Sequence, residues 1–177
     1  MNIFITGSNG FVGTNPKFRF KEIKEGKDNT RKIKNNDIYE FNKNTDLVLL
    51  EEYCKNTDFV SHLAGVNRSK KNEGFERNFT SVLLATLKKY KNPSYFLSSS
   101  KQATLKGRFK NSEYEFSKLN GQELLFNYSK ESGNKVLVYR LPNLFGKWCK
   151  PNYNSVIAAW CYNIAHDLPI VIIDENK

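Results

Sequence analysis

No apolar stretch in this 177-residue chain approaches the roughly 20 residues that a membrane-spanning helix needs, so no membrane partner is expected. Cysteine is scarce. Cys54, Cys149 and Cys161 are odd in number, widely spaced and without a C-x-x-C pair, which points to free thiols and away from a disulfide scaffold or a metal centre. The opening segment MNIFITGSNG lacks a basic leader and reaches turn chemistry at once, so no signal peptide is read there and a cytoplasmic location is expected. Acidic residues are in the minority, 18 against 28 Lys and Arg, for a net charge of +10.

That charge raises the question of nucleic acid. Residues 17–36 hold eight of the basic residues against three acids, but Phe18 and Phe20 are the only aromatics among them. Single-strand binders interleave cations with stacking platforms, and no such pattern is present. The excess reads as solvated surface, with some of it suited to a phosphate-bearing small molecule; no nucleic-acid partner is expected. Hydrophobic residues make up 39% of the chain and aromatics 14%, enough for one domain with a packed core.

Strand-like and helix-like segments alternate, which argues for an α/β fold with a parallel sheet. Residues 2–6 (NIFIT), 38–41 (IYEF), 58–63 (DFVSHL) and 94–97 (SYFL, running into three serines) read as strands. KVLVYR at 135–140 reads as a strand buried on both faces, and 170–173 as a further short strand. Helices are expected over 46–55, 78–90, 112–132 and 154–166. Ser112 with Glu115 forms a capping-box pattern, and Gly133 marks a stop.

The strongest local signal is Gly7-Ser8-Asn9-Gly10-Phe11-Val12-Gly13, placed after the first strand and before a helix. In that context Gly7 permits a tight turn, Gly10 lets backbone approach a pyrophosphate, and Gly13 allows close helix–strand packing. Helix N-terminal N–H groups would then face the phosphates. The second strand is followed by Asn42 and Lys43 rather than by an acid. An acid there would bind the ribose 2′-hydroxyl of NAD, so NADP is favoured over NAD, with Lys43 near its 2′-phosphate.

Tyr114 and Lys118 are spaced i, i+4, on one helix face. An ammonium beside a phenol lowers a pKa that is otherwise near 10, and the phenol can then exchange a proton with a carbonyl oxygen as hydride arrives from a nicotinamide. Ser98, Ser99 and Ser100 at a strand end supply candidate hydroxyls for the same oxygen. His62 and His166 read as structural.

In this order the glycine turn, serine-ended strand and Tyr–Lys helix resemble the extended short-chain dehydrogenase/reductase family, the NAD-dependent epimerases and dehydratases. Within it the stretches ITGSNGFVG, HLAGVNR, LSSSKQA, RLPNLFGKWCKPNYNSVI and IAHDLPI resemble the bifunctional capsular-polysaccharide reductases of UDP-4-keto-6-deoxy-N-acetylhexosamines. The resemblance covers nearly the whole chain but only about the first half of a family member. It implies a Rossmann-type doubly wound parallel sheet, with residues 1–146 as the NAD(P)-binding domain. Residues 147–177 would begin an incomplete sugar-nucleotide-binding region. It further implies that Ser100 polarises the keto group, Tyr114 is the general acid and Lys118 tunes it while holding the nicotinamide ribose. Gly7, Gly10, Phe11, Val12 and Gly13 would line the pyrophosphate, Ala64 and Gly65 the adenosine ribose, and Asn143 the diphosphate of a UDP-linked keto-sugar. A homodimer of the intact enzyme is compatible with it.

The chain also departs from that pattern. Pro16 falls inside the expected first helix and should kink, delay or break it. Glu115 stands beside the tyrosine, where its charge opposes phenolate formation. The loop 101–113 is longer than the resemblance leads one to expect, and the rest of the sugar-binding region and a carboxy-terminal cupin domain are not among these residues. On those grounds the chain by itself is expected not to reduce a nucleotide-sugar. A dinucleotide-binding module without turnover, and an epimerase or dehydratase of another nucleotide-sugar, stay open as alternatives.

Overall fold

A computed structural model describes residues 1–30, 32–34, 36–65, 79–90, 94–106, 113–170 and 172. The chain divides into two units, Met1–Leu141 and Pro142–Lys177. In the first, β1 (Ile3–Thr6) leads through the glycine turn into α1 (Phe11–Lys24). Then follow β2 (Ile38–Phe41), α2 (Val48–Asn56), β3 (Phe59–His62) and α3 (Phe79–Leu87). β4 (Ser94–Ser100), a 3₁₀ turn (Lys101–Thr104), α4 (Glu113–Ser132) and β5 (Val136–Leu141) complete it. The second unit contains α5 (Val156–Ala165), whose N-cap Ser155 accepts from the Ala158 amide at 3.3 Å.

The five strands form one parallel sheet in the order β2-β1-β3-β4-β5. This is the expected doubly wound architecture. The order reverses between β1 and β3, and in such sheets the crevice beyond the carboxyl ends of those two strands is where ligands bind. β1 is buried at all four positions, because helices cover both faces of a central parallel strand. The core gathers Phe4, Phe41, Leu50, Cys54, Val60, Leu83, Leu87, Tyr95, Leu97, Leu125 and Tyr128. Burial pushes the Cys54 thiol up to about 12, so it stays a protonated packing group.

Four expectations from sequence change. β5 lies at the sheet edge and is half-buried to exposed along its length, not enclosed on both faces; its apolar composition reports the wish to be covered, not the presence of a neighbour. β4 extends three residues past the strand read at 94–97, to take in Ser98–Ser100, with Ser100 paired to Leu141. No strand forms at the described positions 170 and 172. And α1 neither starts late nor breaks at Pro16. The bond that proline removes is the single N–H to the Val12 carbonyl four residues back, while Gly10 O keeps its backbone donor, Thr14 N at 2.9 Å, and the helix runs on to Lys24. The Ser112 cap lies outside the described residues.

Proline still removes one backbone bond from the helix interior. Pro16→Leu is therefore expected to stabilise the chain, by about 1–3 kcal/mol. Urea unfolding of the two versions checks this; an unchanged or lower midpoint for the leucine variant would contradict it.

Candidate active site

The carboxyl ends of β1, β3 and β4 open onto a cavity of about 510 Å³. Its floor is the glycine turn. Gly7 sits at φ +70°, and a Cβ there would lie 2.7 Å from the Ala64 amide nitrogen. A Cβ on Gly13 would overlap the Gly7 carbonyl oxygen and lie 2.8 Å from the Ser8 Cα. The turn is thus wedged between α1 and the residues that follow β3, and only glycine fits. Gly10 is the N-cap of α1 and contributes no side-chain cap, so the first-turn N–H groups remain available to an anion.

At the mouth of the cavity Asn42, Lys43 and Asn44 line one wall. Asn42 braces the turn: its Oδ1 accepts from the Asn9 amide at 3.0 Å and its Nδ2 donates to Ser8 Oγ at 3.0 Å. The acid on β2, Glu40, is engaged elsewhere. It accepts from Ser8 Oγ at 3.0 Å and pairs with Lys17 at 3.2 Å and Lys21 at 3.0 Å. Burial alone would raise its pKa, but the hydrogen bonds from Lys21, Lys17 and Ser8 prevail and hold the carboxyl below its ordinary value. No Asp or Glu is among the described residues lining the cavity, whereas Lys43 and Lys118 both are.

The opposite wall carries Ser98, Ser99, Ser117, Lys118 and Gly121, with Ala64 and Gly65 between the two walls. Gly65 leaves room for the lysine: a Cβ there would stand 2.9 Å from Lys118 Nζ. Lys118 is largely buried, and burial holds its ammonium below the ordinary lysine value. Its Nζ lies 5.6 Å from the Tyr114 ring centre. The Ser100 hydroxyl lies near enough to the Tyr114 phenol to act on its proton affinity. Burial pushes the Tyr114 phenol up, and the Ser100 hydroxyl opposes it. The lowering expected from Lys118 is not among the causes of the shift, which are burial and, against it, the Ser100 hydroxyl. Lys43, Ala64, Gly65, Gly7, Gly10 and Lys118 therefore share one cavity, and Ser100 and Tyr114 meet beside it. Phe11 and Val12 form the first turn of α1, while Asn143 belongs to the second unit, where it is exposed. Of the glycine-turn, serine and lysine positions, all but the bracing by Asn42 and Ser8 were readable as motifs.

His62 is completely buried at the end of β3. Thr6 Oγ1 stands 2.6 Å from its Nδ1, and Thr80 Oγ1 2.9 Å from its Nε2. Thr6 Oγ1 also accepts from the Ala64 amide at 3.3 Å, so both ring nitrogens face threonine hydroxyls and one of these is tied to the backbone after β3. The ring is neutral in this arrangement. Burial, helped by the Lys118 charge, depresses its pKa from 6.5 to about 3. A depressed histidine favours the unfolded chain as protons are added, so its contribution is fully present above about 6.5 and is lost as pH falls towards 3. Stability should fall by about 1 kcal/mol per pH unit on average between about pH 6.5 and 5, before carboxylates titrate. Denaturant unfolding across that window should show the slope in the native chain and its absence in His62→Gln; equal slopes would contradict the assignment.

The NAD dependent epimerase/dehydratase family model matches residues 3–177. The chain belongs to that family. Among its relatives is the UDP-2-acetamido-2,6-beta-L-arabino-hexul-4-ose reductase of Pseudomonas aeruginosa, 33% identical over 176 residues. The match takes in 99% of this chain and 44% of the reductase. The capsular polysaccharide assembling protein CapF of Staphylococcus aureus superposes with a TM-score of 0.76 at 41% identity, over 98% of this chain and 43% of that one. A UDP-glucuronic acid 4-epimerase from Bacillus cereus, solved with NAD, gives a TM-score of 0.76 at 18% identity over 99% of this chain and 66% of its own, a likeness of fold. The chain therefore spans less than half the length of the reductase and of CapF.

Proposed function

We propose that this chain is the dinucleotide-binding part of an NADPH-dependent reductase that acts on the 4-keto group of a UDP-linked 6-deoxy-N-acetylhexosamine, in the making of a capsule or surface polysaccharide. The observation that carries the reading is the cavity floored by the glycine turn and entered by Lys118, with Ser100 and Tyr114 adjoining its wall residues Ser99, Ser117 and Lys118. The identity to the Pseudomonas reductase supports the substrate class.

A bound NADPH supplies the hydride. The residues of the chain do the rest. Gly7, Gly10 and Gly13 with the first turn of α1 (Phe11, Val12) receive the pyrophosphate, and Ala64 and Gly65 border the adenosine ribose. Lys118 donates to the nicotinamide ribose. Ser100 donates a hydrogen bond to the keto oxygen, and Tyr114 delivers the proton as charge develops there. The phenol's raised pKa suits an acid, since it stays protonated through neutral pH. Asn143, with the segment after it, takes the sugar-nucleotide diphosphate. Residues 1–146 form the dinucleotide-binding domain in this reading, and residues 147–177 open the sugar-binding region.

The preference for NADPH rests on Lys43 at the mouth and on the lack of a carboxylate among the described lining residues, with Glu40 held by two lysines. Fluorescence titration should give tighter binding of NADPH than of NADH, and Lys43→Asp should remove most of the difference. Tighter NADH binding by the native chain would overturn this choice. Turnover is tested in a chimera that joins residues 1–177 to the remaining part of the Pseudomonas reductase, assayed with NADPH and the UDP-4-keto-sugar; a chimera that binds NADPH but leaves the keto-sugar unreduced would contradict the reading.

A further inference from the structure

We infer that Gln122 is a positioning residue that holds the end of β4 against α4 at the register in which Ser100 meets Tyr114. The inference rests on the reading of those two residues as the proton-transfer pair. Gln122 is fully buried, although its side chain is polar. Its Nε2 donates to Ser99 Oγ at 2.6 Å, and its Oε1 accepts from Arg140 Nε at 3.0 Å and Nη2 at 2.7 Å. A guanidinium has donors only, so Oε1 must face it and Nε2 must face the serine. One amide therefore ties together α4, β4 and β5.

The place of this tie matters more than its existence. Gln122 follows Lys118 by four residues and Tyr114 by eight, so the three share a face of α4. Ser99 immediately precedes Ser100 and is the register partner of Arg140 on β5. Leu125 and Tyr128, nearer the carboxyl end of α4, bury apolar surface against the sheet. Such contacts fix how far the helix stands from the sheet but resist sliding only weakly, since the hydrophobic effect has no direction. A hydrogen bond weakens steeply with a small change in distance or angle, and the two-pronged guanidinium contact fixes the amide plane as well. Gln122 thus supplies the directional constraint at the end of the helix where Ser100 and Tyr114 meet.

The test uses the chain labelled with ¹³Cζ-tyrosine at neutral pH, where the phenol carbon shift reports whether the Ser100 hydroxyl stays beside the phenol. The Tyr114 signal is identified by its loss in Tyr114→Phe, and Ser100→Ala marks its position with the serine hydroxyl removed. Gln122→Met keeps the shape of the side chain and removes all three hydrogen bonds; it should move the Tyr114 signal most of the way to the Ser100→Ala position. Gln122→Glu retains an acceptor for Arg140 and can accept from a reoriented Ser99 hydroxyl, and should leave the signal at its native place. Ser99→Ala cuts only the link to β4 and should reproduce the methionine variant, which covers the case in which that variant does not fold. A lower thermal midpoint in Gln122→Met or Ser99→Ala with an unmoved Tyr114 signal would overturn the inference and leave Gln122 as a stabilising amide. If Ser100→Ala itself leaves the signal unmoved, the proton-transfer pair falls, and the inference with it.

Discussion

In the chimera with the remaining part of the Pseudomonas reductase, Tyr114→Phe is expected to lower the rate of keto-sugar reduction by about 10²–10⁴-fold, the usual contribution of a positioned general acid. NADPH affinity should be nearly unchanged, because the phenol faces the reacting oxygen and not the phosphates. The structure gives the reason for so large an effect. Burial keeps the Tyr114 proton in place through neutral pH, and the Ser100 hydroxyl stands near the phenol. No other described phenol is in that position. Tyr95 and Tyr128 are both sealed in the core. Ser100→Ala should act in the same direction with a smaller loss, as expected when one transition-state hydrogen bond is removed and the acid remains. Rates from steady-state kinetics, with affinity from fluorescence titration, check both. A phenylalanine variant that reduces at a near-native rate would remove Tyr114 from the chemistry.

Gly13→Ala is expected to destroy the cofactor site. The added methyl would overlap the Gly7 carbonyl oxygen and press on the Ser8 Cα, both backbone atoms. Gly7 cannot retreat, since its own α-carbon already faces the Ala64 backbone and its amide is bonded to Phe41 O at 2.8 Å. α1 must then lift from β1, and the N–H groups aimed at the cavity lift with it. The cost should be about 3 kcal/mol or more, at the upper end of overpacking, with loss of measurable NADPH binding. Gly26→Ala is the control. Gly26 also has a positive φ, +72°, but no atom lies within 4 Å of the Cβ it would gain. Only backbone strain of about 1 kcal/mol is expected there, with binding intact. Denaturant unfolding and cofactor titration of the two variants should differ sharply; similar losses in both would mean that the crowding under the glycine turn is not real.

The parts of the site that were legible in the sequence are those set by local spacing. The glycine turn announces itself because three glycines follow a β-rich run, and Tyr114 with Lys118 because four residues bring side chains to one helix face. The serine triplet was visible too, though not that Ser100 would be the last strand residue of β4. What stayed hidden depends on partners distant in sequence. Glu40 looks like an ordinary strand acid until Lys17 and Lys21 are seen to hold it, and Asn42 like a turn residue until it is found bracing Asn9 and Ser8. KVLVYR reads as an enclosed strand because composition reports apolarity, not which strands stand alongside. Pro16 reads as a break because the pattern shows the bond it removes, and not that α1 forms from Phe11 to Lys24 around the loss of that single bond. The expectation for Tyr114 failed on burial: spacing puts an ammonium nearby, whereas burial of the phenol is a property of the whole fold.

The most direct test of the reductase reading is the fate of the hydride. The chimera is supplied with NADPH carrying deuterium at the transferable C4 position of the nicotinamide, together with the UDP-4-keto-6-deoxy-N-acetylhexosamine, and the product sugar is examined by mass spectrometry and NMR. The expected result is a single deuterium on C4 of the hexose with one configuration, and none in the product when Tyr114 is phenylalanine. A chimera that binds NADPH yet returns the keto-sugar unlabelled, or a product that carries deuterium at another carbon, would contradict the assignment of this cavity and its Ser100–Tyr114 pair to reduction of the 4-keto group.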